Sequence, residues 1–127
     1  MTAQPNGFDV KIKRAYAEAE PSDGRRVLVD RLWPRGVSKQ RADLSDWLKQ
    51  IAPSTELREW YGHDPAKFDE FAQRYRAELT GDSERAEALT QLRAWASGGP
   101  LTLITATKDP AISEAQVLLD VLRGSRD

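Results

Sequence analysis

Phe8, Val10 and Ile12 alternate with polar residues, the period of a strand with one buried face, which predicts a first strand over about 8–14. Turn signals at Pro21 and Asp23-Gly24 separate it from Val27-Leu28-Val29, a short apolar run typical of a strand buried on both faces, over about 26–31. A third strand is expected late, where Leu101 to Ile104 follows the breaker Gly98-Gly99-Pro100. Between the second and third strands the period becomes helical. Leu44, Trp47, Leu48 and Ile51 stand at i, i+3, i+4 and i+7 before Pro53 and predict a helix. Ser54 can cap a helix through Tyr61, which Gly62 stops in the left-handed conformation. Asp64-Pro65 opens the next with a carboxylate cap and a proline at the first position. Its stripe of Phe68, Phe71, Tyr75 and Leu79 is expected in the core, and Arg74 can pair with Glu78 on its surface. Asp82 or Ser83 starts a further helix that buries Leu89, Leu92 and Trp95 or Ala96, and a last helix is expected over about 112–123.

Strand, helical excursion and strand favour a right-handed parallel crossover. The expected fold is α/β, a small mostly parallel sheet of about three strands flanked by several helices. Residues 8–123 would form one domain, with 1–7 and 124–127 as tails. Only about a dozen residues join the first two strands, barely enough for a crossover, so a parallel first strand is favoured on weaker grounds.

With no cysteine among 127 residues, disulfides, thiolate nucleophiles and Cys-ligated metals are excluded. The first residues are polar rather than leader-like, and no apolar run nears the ~20 residues that span a bilayer, so a cytoplasmic protein without a membrane partner is expected. A net charge of −1 gives no global attraction to nucleic acid. Any such binding would have to come from local clustering.

Ligands of open parallel sheets lie beyond the carboxyl ends of the strands. There the three strands would deliver Arg14 and Tyr16, then Asp30 to Gly36, then Thr107, Lys108 and Asp109. Arg31, Arg35 and Lys108 suit a phosphate or carboxylate, and the competing reading is that they pair with Asp30 and Asp109. Pro34 and Gly36 bracket Arg35 in a loop that can aim it, while Trp33 either shapes that loop or caps the core. His63, the one histidine, and Asp30 are the candidate proton carriers, though His63 equally suits a plain helix junction. Asp109 completes the candidate binding residues at the strand ends. No ligand spacing supports a metal, and no cofactor is implied.

Val29-Asp30-Arg31-Leu32-Trp33-Pro34-Arg35-Gly36, Ser38-Lys39, Trp47-Leu48-Lys49, Ala52-Pro53-Ser54, Leu57-Arg58, Trp60, His63-Asp64-Pro65 and Arg74-Tyr75 form an ordered set. The set resembles the YeaO-like branch of the family called domain of unknown function 488. The resemblance spans about 8–122 and implies a bacterial α/β domain whose shared polar residues fall here on Asp30, Arg31, Arg35, Lys39, Arg58, His63, Asp64, Arg74, Lys108 and Asp109. It brings no established activity. A methyltransferase label carried by some relatives finds no glycine-rich loop behind a strand here. The family usually opens its last helix with an Asn-His pair, where this chain reads Ile112-Ser113-Glu114-Ala115. The leading expectation is a small enzyme or binding protein for an anionic ligand. Its rival is a non-catalytic nucleic-acid-binding or protein-interaction module that uses Arg25, Arg26, Arg58 and the cleft arginines.

Overall fold

The computed structural model describes residues 9–124, so the tail expected at 1–7, Phe8 and residues 125–127 lie outside the described residues. Four strands, β1 (Val10–Arg14), β2 (Arg25–Leu28), β3 (Asp46–Trp47) and β4 (Leu101–Thr105), form one sheet in the order β1-β4-β2-β3. Every pairing is parallel, including that of β1 with β4. Around the sheet stand α1 (Lys39–Ala42), α2 (Thr55–Tyr61), α3 (Phe68–Gly81), α4 (Ser83–Gly98) and α5 (Glu114–Leu122). The fold is α/β, as expected, with one strand more.

That extra strand corrects the helix expected over 44–51. Asp43 ends α1 at φ 46, in the left-handed region, which turns the chain onto the sheet edge. The Ser45 N–H then donates to the Arg26 carbonyl and the Leu48 N–H to the Leu28 carbonyl, so these amides are satisfied by β2 rather than by a helix. A single 3-10 turn, Lys49–Ile51, follows. The helix-like spacing arises because Leu48, just past the strand, and Ile51, at the end of the turn, are both buried, while Trp47 stays on the surface.

The local cap signals fare better, since each needs only neighbouring residues. Ser54 accepts from the Leu57 N–H and Gly62 closes α2 at φ 54. Asp64 accepts from the Ala66 N–H, but the helix it opens begins as a 3-10 turn, Pro65–Lys67, before α3. Asp82 caps α4, which buries Ala96 rather than Trp95. The last helix is shorter than expected, because Pro110–Ile112 forms a separate 3-10 turn and Ser113 caps α5. Arg74 pairs with Glu70, not Glu78. Glu78 instead accepts from the N–H and hydroxyl of Ser54, at 2.9 and 2.5 Å, tying α3 to the start of α2.

Strand alternation gives the sheet two unlike faces. Val10, Val27, Leu101 and Leu103 join Ile51, Leu57, Tyr61, Phe71, Tyr75, Leu79, Leu92 and Leu118 in the main core. Tyr61 and Phe71 stack with centroids 4.2 Å apart, and the buried Tyr75 hydroxyl donates to the Ile51 carbonyl at 2.6 Å. The opposite face carries a small cluster of Ala15, Leu28 and Ile104, covered by Trp33, Leu44 and Ala106. Beside that cluster Lys11, Thr102 and Arg26 lie in register across three strands, beneath the buried carboxylate of Asp23. Asp23 accepts from Arg26 at 2.6 Å, from Lys13 at 3.0 Å and from the Glu20 N–H at 3.0 Å, with Lys11 at 3.3 Å. Burial pushes this carboxyl up, but the Glu20 amide and the three cations outweigh it and hold Asp23 well below the usual carboxylate range.

Candidate functional site

Because all four strands run the same way, the loops that follow them gather at one edge. The Arg14 guanidinium donates to the Thr107 carbonyl at 2.9 Å, which binds the end of β1 to the loop after β4. Arg41 reaches across from α1 to the Tyr16 carbonyl at 2.8 Å.

Asp30 is the hub. Its carboxylate accepts from the Thr105 hydroxyl and the Ala106 N–H, both at 2.8 Å, and so holds the loops after β2 and β4 together. Its carbonyl accepts the Trp47 indole N–H, also at 2.8 Å, which adds the end of β3. The loop beyond is braced. Pro34 and Val37 are buried, and the Trp33 indole N–H donates to the Val37 carbonyl at 2.6 Å while its ring meets Trp47 edge-on at 5.5 Å. Trp33 thus plays both expected parts, shaping the loop and covering the small cluster on that face.

Arg31, Arg35 and Lys108 project from these loops, and Lys39 from the start of α1, as exposed side chains. Among the described residues none of the four forms an ion pair, and Asp109, exposed at the start of the Pro110–Ile112 turn, takes no cation either. The cations of the rival nucleic-acid reading sit differently. Arg26 is 3% exposed and held by Asp23 and the Ala42 carbonyl, so it is unavailable to phosphate. Arg25 pairs with Asp46 and lies over Trp95, at the other end of β2 from the cleft.

A second group lies around the start of α5. A cavity of about 190 Å³ is lined by Arg58, Tyr61, His63, Phe71, Ser113 and Glu114, among others. His63 reaches it because the backbone there takes φ 57, immediately after the Gly62 stop. Arg58 is anchored beside it by bonds to the Pro53 carbonyl and the Thr55 hydroxyl, at 3.4 and 3.2 Å. The Tyr61 hydroxyl donates to the Ile112 carbonyl at 2.6 Å. Burial and the charges of Asp109, Asp64 and Glu114 raise its pKa.

Glu114 links the two groups. Burial pushes its carboxyl well above the ordinary range and the neighbouring Asp30 pushes the same way, against smaller opposing effects of its own backbone amide and of Arg58. In the sequence Glu114 stands out only as a departure from a family pattern. Its proximity to Asp30 joins α5 to the end of β2, a contact with no local signal. Arg58 and His63 therefore share a cavity with Glu114, whereas Arg31, Arg35, Lys39 and Lys108 stand outside its lining. Among the described residues no three His, Asp or Glu side chains form a group that could hold a metal ion. None of the described helices is long and apolar enough to cross a membrane.

A family model described as the inactive DUF488-N3 subclade matches residues 9–126. An uncharacterized protein of Mycobacterium tuberculosis is 46% identical over 115 residues, covering 91% of this chain and 94% of its own length, and a Mycobacterium bovis protein matches equally. The uncharacterized protein YeaO of Escherichia coli is 41% identical over 116 residues, covering 91% of this chain and 98% of its own length. No solved structure matches the chain. On a match that runs through every strand and helix described above, the chain belongs to the DUF488 family, in its YeaO-like branch.

Proposed function

We propose that this protein holds a small anionic ligand, carrying a phosphate or carboxylate, at the C-terminal ends of the strands, and that it binds rather than converts it. The observation that carries the reading is the set of exposed cations without ion-pair partners, Arg31, Arg35 and Lys108, on loops that Asp30 fastens to one another. An arginine fork on a braced loop loses little freedom when it takes an oxyanion. Arg31 and Arg35 grip the anion, Lys108 and Lys39 add charge at the rim, and Trp33 sets the loop. Arg58 and His63 face the neighbouring cavity, where a larger ligand would extend.

Holding is favoured over turnover for two reasons. Asp30 already accepts two hydrogen bonds and meets Glu114, so it is a poor free base, and the matched subclade is described as inactive. Thermal unfolding against phosphate, sulfate and small carboxylates tests the binding. At a hundred times its dissociation constant a ligand adds about 2.7 kcal/mol of stability. The shift should vanish in Arg35→Ala with the unliganded midpoint unchanged. Equal shifts in the variant, or none with any anion, would overturn the reading.

A further inference from the structure

Three large hydrophobic side chains are exposed among the described residues, Tyr16, Leu32 and Trp47, and all three stand at or just beyond the C-terminal ends of strands. Singly exposed apolar residues carry no message; their concentration on one edge does. Leu32 is the most exposed, at 71%, and it sits at the head of the braced loop, next to Arg31 and before the Trp33–Trp47 contact. Arg31, Arg35, Lys39, Lys49 and Lys108 are exposed cations on the segments that follow the same strands. The exposed carboxylates on the segments beyond the strands are fewer, chiefly Glu18 and Asp109, while that of Asp30 is bonded to Thr105 and Ala106.

Aromatic rings among cations also suit single-stranded nucleic acid, but the geometry disfavours that partner. Stacking needs open ring faces. The Arg14 guanidinium lies over the Tyr16 ring at 5.2 Å, and the Lys49 ammonium over the Trp47 ring at 4.9 Å, with Trp33 against the same indole. An aliphatic side chain at the head of the loop adds nothing against a phosphate backbone. It adds a good deal against a protein, whose contact sites combine indoles, arginines and a central apolar anchor.

We propose that this rim docks an acidic segment of a partner protein, with Leu32 packed on an apolar side chain of the segment and Arg31, Arg35 and Lys108 facing its carboxylates. The proposal rests on the cationic rim of the anion-binding reading and adds the apolar residues to it. The test uses the full chain and labelled synthetic peptides rich in Asp and Glu with interspersed Leu and Phe. Serine-substituted versions of the same peptides and an oligothymidylate of equal charge serve as competitors, and inorganic phosphate is followed separately by thermal shift. The apolar acidic peptides should bind best, with affinity falling as salt rises. Leu32→Ser should weaken them about tenfold or more, because a leucine side chain is no longer there to be buried, while its melting curve and phosphate response stay those of the parent. Equal binding by Leu32→Ser, equal binding of the serine peptides, or displacement by the oligothymidylate would each overturn the proposal. Loss of the phosphate response alone, with Leu32-dependent peptide binding intact, would overturn only the small-anion reading.

Discussion

Asp23 and Asp30 flank the same strand, β2, and the two ends treat a carboxylate in opposite ways. At the start, Asp23 is fully buried and the cations around it, Arg26, Lys13 and Lys11, converge on it. At the finish, Asp30 is bonded by a neutral hydroxyl and an amide and leans on a second acid, while the nearby arginines and lysines face solvent. Charge is abundant at both ends. At the first it is consumed inside the fold; at the second it is left over, and left-over charge is what a ligand can use.

The largest effect should come from breaking the paired end. Asp23→Asn leaves Arg26, 3% exposed, without its counter-ion, and removing one partner of a buried pair typically costs about 3–5 kcal/mol. Asp30→Asn removes no ion-pair partner, so about 1–2 kcal/mol is expected from its altered hydrogen bonds. Urea midpoints of the two variants compare the ends directly, and similar losses would show that the contrast is not energetic. Acid should separate them as well. The pKa of Asp23 is depressed in the fold, so its contribution is present above the unfolded value near 3.9 and is lost as pH falls below it. The parent should lose stability in that acid range more steeply than Asp23→Asn.

Glycines mark the same contrast on a smaller scale. Gly24, beside Asp23, has φ 64, and a Cβ there would lie 2.3 Å from the Pro100 carbonyl oxygen. Gly36, in the Arg35 loop, has φ 79 and nothing within 4 Å. Both alanine variants bear the left-handed penalty of about 1–2 kcal/mol, but only Gly24→Ala must also push backbone aside, adding about 1–3 kcal/mol. Differential melting should rank Gly24→Ala clearly below Gly36→Ala, and the reverse order would place the rigid packing at the wrong end of β2.

What can be read from the chain divides along similar lines. Ser54, Gly62, Asp64-Pro65 and Asp82 announce helix ends through bonds to their own neighbours, and those ends appear where expected. β3 escapes a reading of the sequence because its cause is remote: only the Arg26 and Leu28 carbonyls make Asp46–Trp47 a strand. Lys11 and Lys13 read as the solvent side of an alternating strand, yet they sit beneath Asp23, since nothing local shows that a loop will fold over that face. Asp30, Arg31 and Arg35 are legible as a candidate site because they follow a strand directly. The neighbour that changes their chemistry, Glu114, is not, because it arrives on the last helix.

Glu114 allows the smallest and most selective test of the two ends. Its pKa is raised in the fold, by burial first and then by Asp30, so the folded chain binds a proton that the unfolded chain has released above about pH 4.3. Its contribution is therefore full below that value and declines as pH rises towards neutrality, the reverse of Asp23 and in a separate pH window. Glu114→Gln keeps a donor for Asp30 and removes the titration. The variant should match the parent near pH 4 and exceed it at neutral pH. If the gap between Glu114→Gln and the parent stays constant from pH 4 to neutrality, the fold does not raise the Glu114 carboxyl, and the second end of β2 is simply less buried than the first.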